Sequence, residues 1–442
     1  MTRARRLFIC TLAFITPLLP LCALNEAYLE RLGGVRGAQV IKSEAWDISS
    51  DGNVVVGRAL DVTGEQVACV WIGDNKIQLL KDVSYQKSDK TDYLGGYGIL
   101  ATAVSGNGGL IAGVDQYHKG FWWEAGEYSE IDSGESNGTL FQLGFVIGMS
   151  SDGDFAVGQN GFPGSRAIGR DASVSNTSFW LMDGTEGIWG GATAVSSLGE
   201  VVTGYGEHDK LDKAFKWTTS GVAWLGPFSS PETVSPTGQS TGADISGDGN
   251  YIVGNFNTDK GLLGYVWDVS EVTTEYPLVQ DSVTILKQLD PEYAFHGGQA
   301  LGVSPDGEIV VGVDQTRFGP RAVMWRKSDD YAVTDLQTLV YPNAMVGFSV
   351  RSVSGISDDG RVIYGSGVNE AGQEEAYRLW LIPSWRNYPL LSNGVTADTG
   401  DLVGLVDVAG DPYIYIHSTS SWVYWPEESA TPLGDWLWFA KP

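Results

Sequence analysis

The 442-residue sequence has four histidines, His118, His208, His296 and His417, and three cysteines, Cys10, Cys22 and Cys69. These are the residue types that most often hold zinc or carry protons near neutral pH. No two histidines stand at i and i+4 and no cysteines cluster, so a zinc hydrolase lacks its ligands. A serine triad lacks a G-x-S-x-G elbow near any histidine. Carboxylates are harder to set aside, because 54 Asp and Glu offer many pairs and a glycosidase needs only two at a defined separation. Calcium would suit recurrent Asp-Gly turns, but these lack the D-x-D-x-D-G ladder of ligands, and a hairpin role explains them better. The residues therefore point to no metal, no cofactor and no assigned catalytic group.

Charge narrows the partners. With 28 Lys and Arg against 54 Asp and Glu, the net charge is −26. Such a chain repels phosphate, so nucleic acid and anionic lipid surfaces are poor partners. The N-terminus carries Arg3, Arg5 and Arg6 ahead of the uncharged run Leu7–Leu21, the pattern of an export signal. Pro17 and Pro20 interrupt a run already short for a membrane span. Residues 1–23 are expected to be removed, leaving no transmembrane span and a secreted, cell-surface or periplasmic protein. Cys10 and Cys22 leave with the signal, so Cys69 remains unpaired and reads as a small buried hydrophobe.

The elements that must position any site are repeats. The unit A-x-x-(V/I)-S-x-D-G-x-x-V-x-G runs from Ala45 to Gly57 and recurs at 101–113, 146–158, 192–204, 242–254, 300–312 and 353–365. Each copy continues into an aromatic-rich run ending at Trp71, Trp123, Trp180, Trp217, Trp267, Trp325 or Trp380. Asp-Gly is a tight-hairpin dipeptide because its residues adopt positive φ cheaply. The fourth copy departs from it with Leu198-Gly199, and the third has 21 residues between Gly158 and Trp180. Four short antiparallel strands per unit predict an all-β chain, a seven-bladed β-propeller of four-stranded blades over 27–391. A solenoid would not need a hairpin turn in every unit. The tryptophans are expected as wedges between blades, and Leu29–Gly34 is expected to close the ring by joining the last blade, removing an open edge.

The pattern resembles the extracellular repeats called the HAF family. Gln299–Gly312 carries the first half of that motif, and Lys213–Trp217 with Trp224-Leu225-Gly226 carries the second. The resemblance covers roughly residues 29–391 and implies an exported bacterial repeat protein. No catalytic residues come with it.

Residues 392–442 form a separate Trp-rich module containing Trp422, Trp425, Trp436 and Trp438, expected to be aromatic-cored. A ligand is expected at the propeller face with the longer loops, where Asp115, Tyr117, His118, Glu207, His208, Asp209, Asp314 and Arg317 fall. An acidic mouth of that kind suits a glycan, a cell-envelope component or a cation. The reading is a non-enzymatic binding, adhesion or structural protein. Its alternative is a secreted carbohydrate-active enzyme using paired carboxylates at the same face.

Overall fold

The computed structural model describes residues 24–33, 40–61, 64–73, 76–80, 83–86, 93–96, 98–115, 120–124, 127–130, 134–136, 139–141, 143–160, 167–171, 177–183, 186–225, 239–258, 261–272, 282–293, 296–382, 384–385, 388–391, 396–399, 405–408, 413–419, 421–424 and 438–439. The expected signal, residues 1–23, lies outside the described residues. No described helix is long and apolar enough to cross a membrane.

The chain is nearly all β. Each motif copy opens its own antiparallel sheet, with strands in chain order. In the first sheet they are Val40–Ile48, Val54–Asp61, Gln66–Ile72 and Lys76–Leu79. The last sheet is completed out of order. Its Phe348–Ile356, Val362–Asn369 and Glu374–Trp380 are joined by Tyr28–Arg31, with Tyr28 opposite Trp380 and Arg31 opposite Tyr377. The N-terminal strand thereby covers the edge the last repeat would expose.

The turn joining the first two strands is built from Ser-x-Asp-Gly. The Ser49 N–H donates to Val54 O at 2.8 Å, and Gly52 N–H donates back to Ser49 O at 2.9 Å. Asp51 Oδ1 accepts from Ser49 Oγ at 2.7 Å and from Asn53 N–H at 3.0 Å. The expected two-residue turn with both φ positive is not what forms. Only the glycine is left-handed, at +75° for Gly52, because the aspartate carboxylate is used to hold the turn from a normal backbone conformation. Two successive positive φ values occur instead at Asp209-Lys210, at +55° and +67°, a two-residue turn between the paired residues His208 and Leu211, and at Asp330-Tyr331, at +49° and +52°.

The closing glycine of the motif permits a β-bulge. In the first sheet Ala45 pairs with Gly57 and Asp47 with Val56, leaving Trp46 as the extra residue. A Cβ on Gly57 would fall against the Glu44 carbonyl oxygen, and one on Gly312 against that of Gln299. Every copy bulges at this place. A bulge re-aims a side chain, and this one repeats around the whole array.

Five of the seven tryptophans occupy one slot on a third strand, two residues beyond the partner of the closing glycine, as Trp71 does opposite Val55. Trp71, Trp217, Trp267 and Trp325 are buried. Copies three and seven correct the reading. In the third, Arg170 takes the slot and Trp180 lies on the fourth strand, opposite Ile168, because the inserted chain follows the third strand as well as preceding it. In the seventh, buried Leu379 takes the slot and Trp380 is displaced by one residue, which turns it to the opposite sheet face. Cys69 is a buried free thiol, and burial pushes its pKa up, as a small core residue requires.

The chain divides into two compact units, Glu26–Ile382 and the segment Pro383–Pro442 together with Met1–Asn25. Residues 383–391, grouped with the repeats by sequence pattern, fall in the second unit. Its five-stranded sheet runs Thr396–Asp398, Leu405–Asp407, Tyr413–Ile416, Ser421–Tyr424 and Trp438–Phe439. Among the described residues its buried cluster is aliphatic, Ala397, Val406, Val408, Ile414, Ile416 and Val423, with Tyr388 and Leu390 packed against it. Strand alternation turns the cross-strand pair Tyr415 and Trp422 outward, their ring centroids 5.3 Å apart.

Candidate functional site

A cavity of about 390 Å³ is lined by the first strand of every repeat-bearing sheet. The bulge builds its wall. The extra residue of each copy, Trp46, Thr102, Ile147, Thr193, Ala243, Leu301 and Ser354, faces it. One side chain per repeat therefore reaches the same space, and the size of the cavity is within the range of small-molecule sites.

The hairpin turns supply its floor and interlock around it. Ser50 N–H donates to Gly106 O at 2.9 Å, Gly106 N–H to Ser151 O at 2.8 Å, Ser151 N–H to Ser197 O at 3.1 Å and Ser197 N–H to Gly247 O at 3.0 Å. Asp248 N–H reaches Pro305 O at 3.2 Å, and Asp359 N–H closes onto Ser50 O at 3.1 Å. Pro305 has no N–H to offer the seventh turn. The turns approach so closely that a Cβ on Gly106 would press on Ser50 Oγ and the Ser151 carbonyl. Asp358 spans this floor, its Oδ2 accepting from Ser50 Oγ at 2.7 Å and from Ser151 Oγ at 2.6 Å.

Two further carboxylates line the cavity at the residue after the bulge. Asp47 Oδ1 accepts from Ile48 N–H at 2.8 Å and Oδ2 from Val104 N–H, in the next repeat, at 2.7 Å. Tyr364 hydroxyl donates to Oδ1 at 3.3 Å. Asp244 repeats the arrangement with Ile245 N–H at 2.8 Å and Val303 N–H at 2.9 Å. Other copies have Ala or Gly at this place. Burial pushes both carboxyl groups up to about 7 against the opposing pull of these N–H groups. Asp358 raises both further by repulsion, and Asp244 adds to the effect on Asp47. Among the described residues that line it there is no Lys, Arg or His.

None of the six described residues among the eight singled out in the sequence lines this cavity. Tyr117 and His118 lie outside the described residues. Asp115 and Asp314 were expected as exposed loop groups, yet they are buried, both two residues past a closing glycine. Asp314 Oδ2 accepts from Leu289 N–H at 2.7 Å, a use that fixes backbone and explains the burial. Glu207 is exposed. His208 stacks on Trp224 at 4.9 Å, and Asp209 sits in the two-residue turn, 3.6 Å from both His208 Nε2 and Lys213 Nζ. Arg317 is engaged by Asp290, with Nε to Oδ2 at 2.6 Å and Nη2 to Oδ1 at 2.7 Å. The described members thus fall on three sheets, Asp115 on one, Glu207, His208 and Asp209 on a second, and Asp314 and Arg317 on a third. Asp47 and Asp244 were missed, although an Asp inside the apolar stretch of copies one and five was a readable signal.

No family model matches the chain, and no curated protein matches it in sequence. Solved structures resemble its fold at low identity. Oligogalacturonate lyase from Vibrio parahaemolyticus is 10% identical, with a TM-score of 0.45 over 81% of this chain and 97% of that one. The Swd1 β-propeller domain from Myceliophteria thermophila is 9% identical, with a TM-score of 0.44 over 80% and 99%. TolB from Acinetobacter baumannii is 12% identical, with a TM-score of 0.39 over 76% of this chain. The match takes in 65% of TolB, less than two thirds of its length.

Proposed function

We propose that this chain is a seven-bladed, exported, non-enzymatic binding propeller whose ligand seats in the axial cavity. The observation that carries the reading is the bulge in every first strand, which directs one side chain of each repeat into a common space. The repeat varies most at that place, with Trp, Thr, Ile, Thr, Ala, Leu and Ser, while the serine opening the turn is the same in every copy. A purely structural slot would be expected to repeat its residue as the serine does. The basic start followed by Leu7–Leu21 supports export, as does the likeness of the repeats to the HAF family.

The enzyme alternative has one observation in its favour, a pair of carboxyl groups held near neutrality. Against it, Asp47 and Asp244 each hold the N–H of the following residue and one N–H of the next repeat, a structural use that fixes both carboxyl groups in place. A thermal-shift screen of small molecules against the full chain tests the binding reading. Hits should be lost when Ala243→Trp fills the cavity in a protein that still folds. Hits that persist in that variant would move the site elsewhere. Polysaccharide turnover abolished by Asp47→Asn or Asp244→Asn would establish the enzyme instead.

A further inference from the structure

We infer that the axial cavity selects a small organic cation with an apolar body, such as an arylalkylammonium. This rests on the binding reading above and adds a ligand class to it.

Two independent observations lead there. The first is which hydrogen-bonding groups remain for a ligand. Thr193 Oγ1 already donates to Gly242 O at 2.9 Å, Ser354 Oγ to Ala45 O at 2.7 Å and Thr102 Oγ1 to Ala112 O at 3.4 Å. The hydroxyl protons of Ser151 and Tyr364 are given to Asp358 and Asp47. These hydroxyls are spent as donors; Gln159, whose Oε1 accepts from Tyr205, and Ser197 also line the cavity with donor groups, while the three carboxylates retain lone pairs and make acceptors the larger set. A ligand that brings N–H donors finds acceptors here. An anion, or a sugar needing donors for its ring oxygens, finds far fewer.

The second observation is the wall. Trp46, Phe145, Ile147, Met149 and Leu301 give it apolar surface, and Trp46 is 43% exposed even with the Arg58 guanidinium 5.9 Å from its ring centroid, which leaves indole surface for a ligand. An ammonium group near an aromatic face gains a cation–π contribution, and the hydrocarbon body gains from burial. With Asp47, Asp244 and Asp358 present and no cationic residue among the described lining residues, the field in the cavity is predominantly negative. A cation entering it relieves the mutual repulsion of the carboxylates. Binding near pH 7 should therefore expel protons from Asp47 and Asp244, an effect a neutral ligand would not produce.

The test is calorimetric titration of the full chain with phenethylammonium, its neutral analogue 2-phenylethanol and the anion 3-phenylpropanoate. Each titration is run at about pH 7 in two buffers of different ionisation enthalpy. The cation should bind about tenfold or more tightly than the alcohol, release protons, and weaken by about tenfold in Asp358→Asn, a change at an exposed residue. Asp244→Asn should reduce the proton release, with circular dichroism checking its fold. Equal or tighter binding of the alcohol or the anion would overturn the cation inference while leaving the binding reading intact. Cation binding without proton release would also overturn it. If none of the three binds at about 10 mM while other small molecules do, the ligand class is wrong. If nothing binds, both readings fail.

Discussion

Arg378 and Glu30 form a bidentate ion pair between the last repeat and the N-terminal strand, Nε to Oε2 at 2.7 Å and Nη2 to Oε1 at 2.9 Å. Both are largely buried, their side chains 3% and 10% exposed. The same guanidinium donates from Nη1 to Gly52 O at 2.8 Å and from Nη2 to Gly73 O at 2.9 Å, both in the first sheet. One side chain thus ties together the N-terminal strand, the last repeat and the first. Breaking such a buried pair leaves an uncompensated charge, so Arg378→Ala should cost about 3–5 kcal/mol in denaturant unfolding. A loss no larger than that of an exposed arginine would show that the closure does not depend on this pair.

The bulge makes a second prediction. A methyl group at Gly312 would meet the Gln299 carbonyl, whereas one at Gly372 would meet nothing within 4 Å. Gly372 has φ of +75°, so its replacement costs backbone strain alone. Gly372→Ala should lose about 1–2 kcal/mol, the cost of an L-residue held in the left-handed region. Gly312→Ala should lose clearly more, because the first strand must straighten or shift. Equal losses in parallel urea titrations would argue against the bulge.

The pH dependence has a definite sign. Asp47 and Asp244 are pushed up to about 7 in the folded protein, from an ordinary value of 3.8. Across that window the folded state holds more protons than the unfolded state. Their contribution is thus complete below about pH 4 and lost as pH rises through about 7. Asp51, Asp152 and Asp306 have lowered values, Asp51 through its backbone N–H acceptor bonds and the other two chiefly through their serine partners. Their contribution is lost only as pH falls below the ordinary carboxyl range. The double variant Asp47→Asn with Asp244→Asn should flatten the decline between about pH 4 and pH 7 in thermal unfolding. An unchanged slope would remove these groups as its source.

Asp314 and Glu207, alike in the sequence as loop acids, should separate in experiment. Asp314→Ala leaves the Leu289 N–H without its carboxylate partner and should cost about 1–3 kcal/mol. Glu207→Ala, at an exposed position, should stay within about 0.5 kcal/mol of the parent. Comparable values would mean that Asp314 is not the buried anchor its geometry describes.

The repeated sheets, the places of their hairpin turns and the joining of Leu29–Arg31 to the last repeat were legible in the sequence. They depend on local chemistry repeated many times: alternation, Ser-x-Asp-Gly, and a strand-like segment left over at one end. The copy-three and copy-seven tryptophans were misread, because a motif counted along the chain does not reveal a one-residue change of register or an insertion placed after a strand. The axial cavity was not legible for a related reason. A bulge requires knowing which glycine faces which carbonyl across two strands, and only pairing decides that. Asp47 therefore looked like one acid among 54, until the fold set it beside Val104 of the next repeat and brought Asp244 and Asp358 to the same cavity. Sequence alone determined the kind of sheet the chain makes. Tertiary structure decided which side chains share its axis, because that convergence joins residues hundreds of positions apart and leaves no local mark.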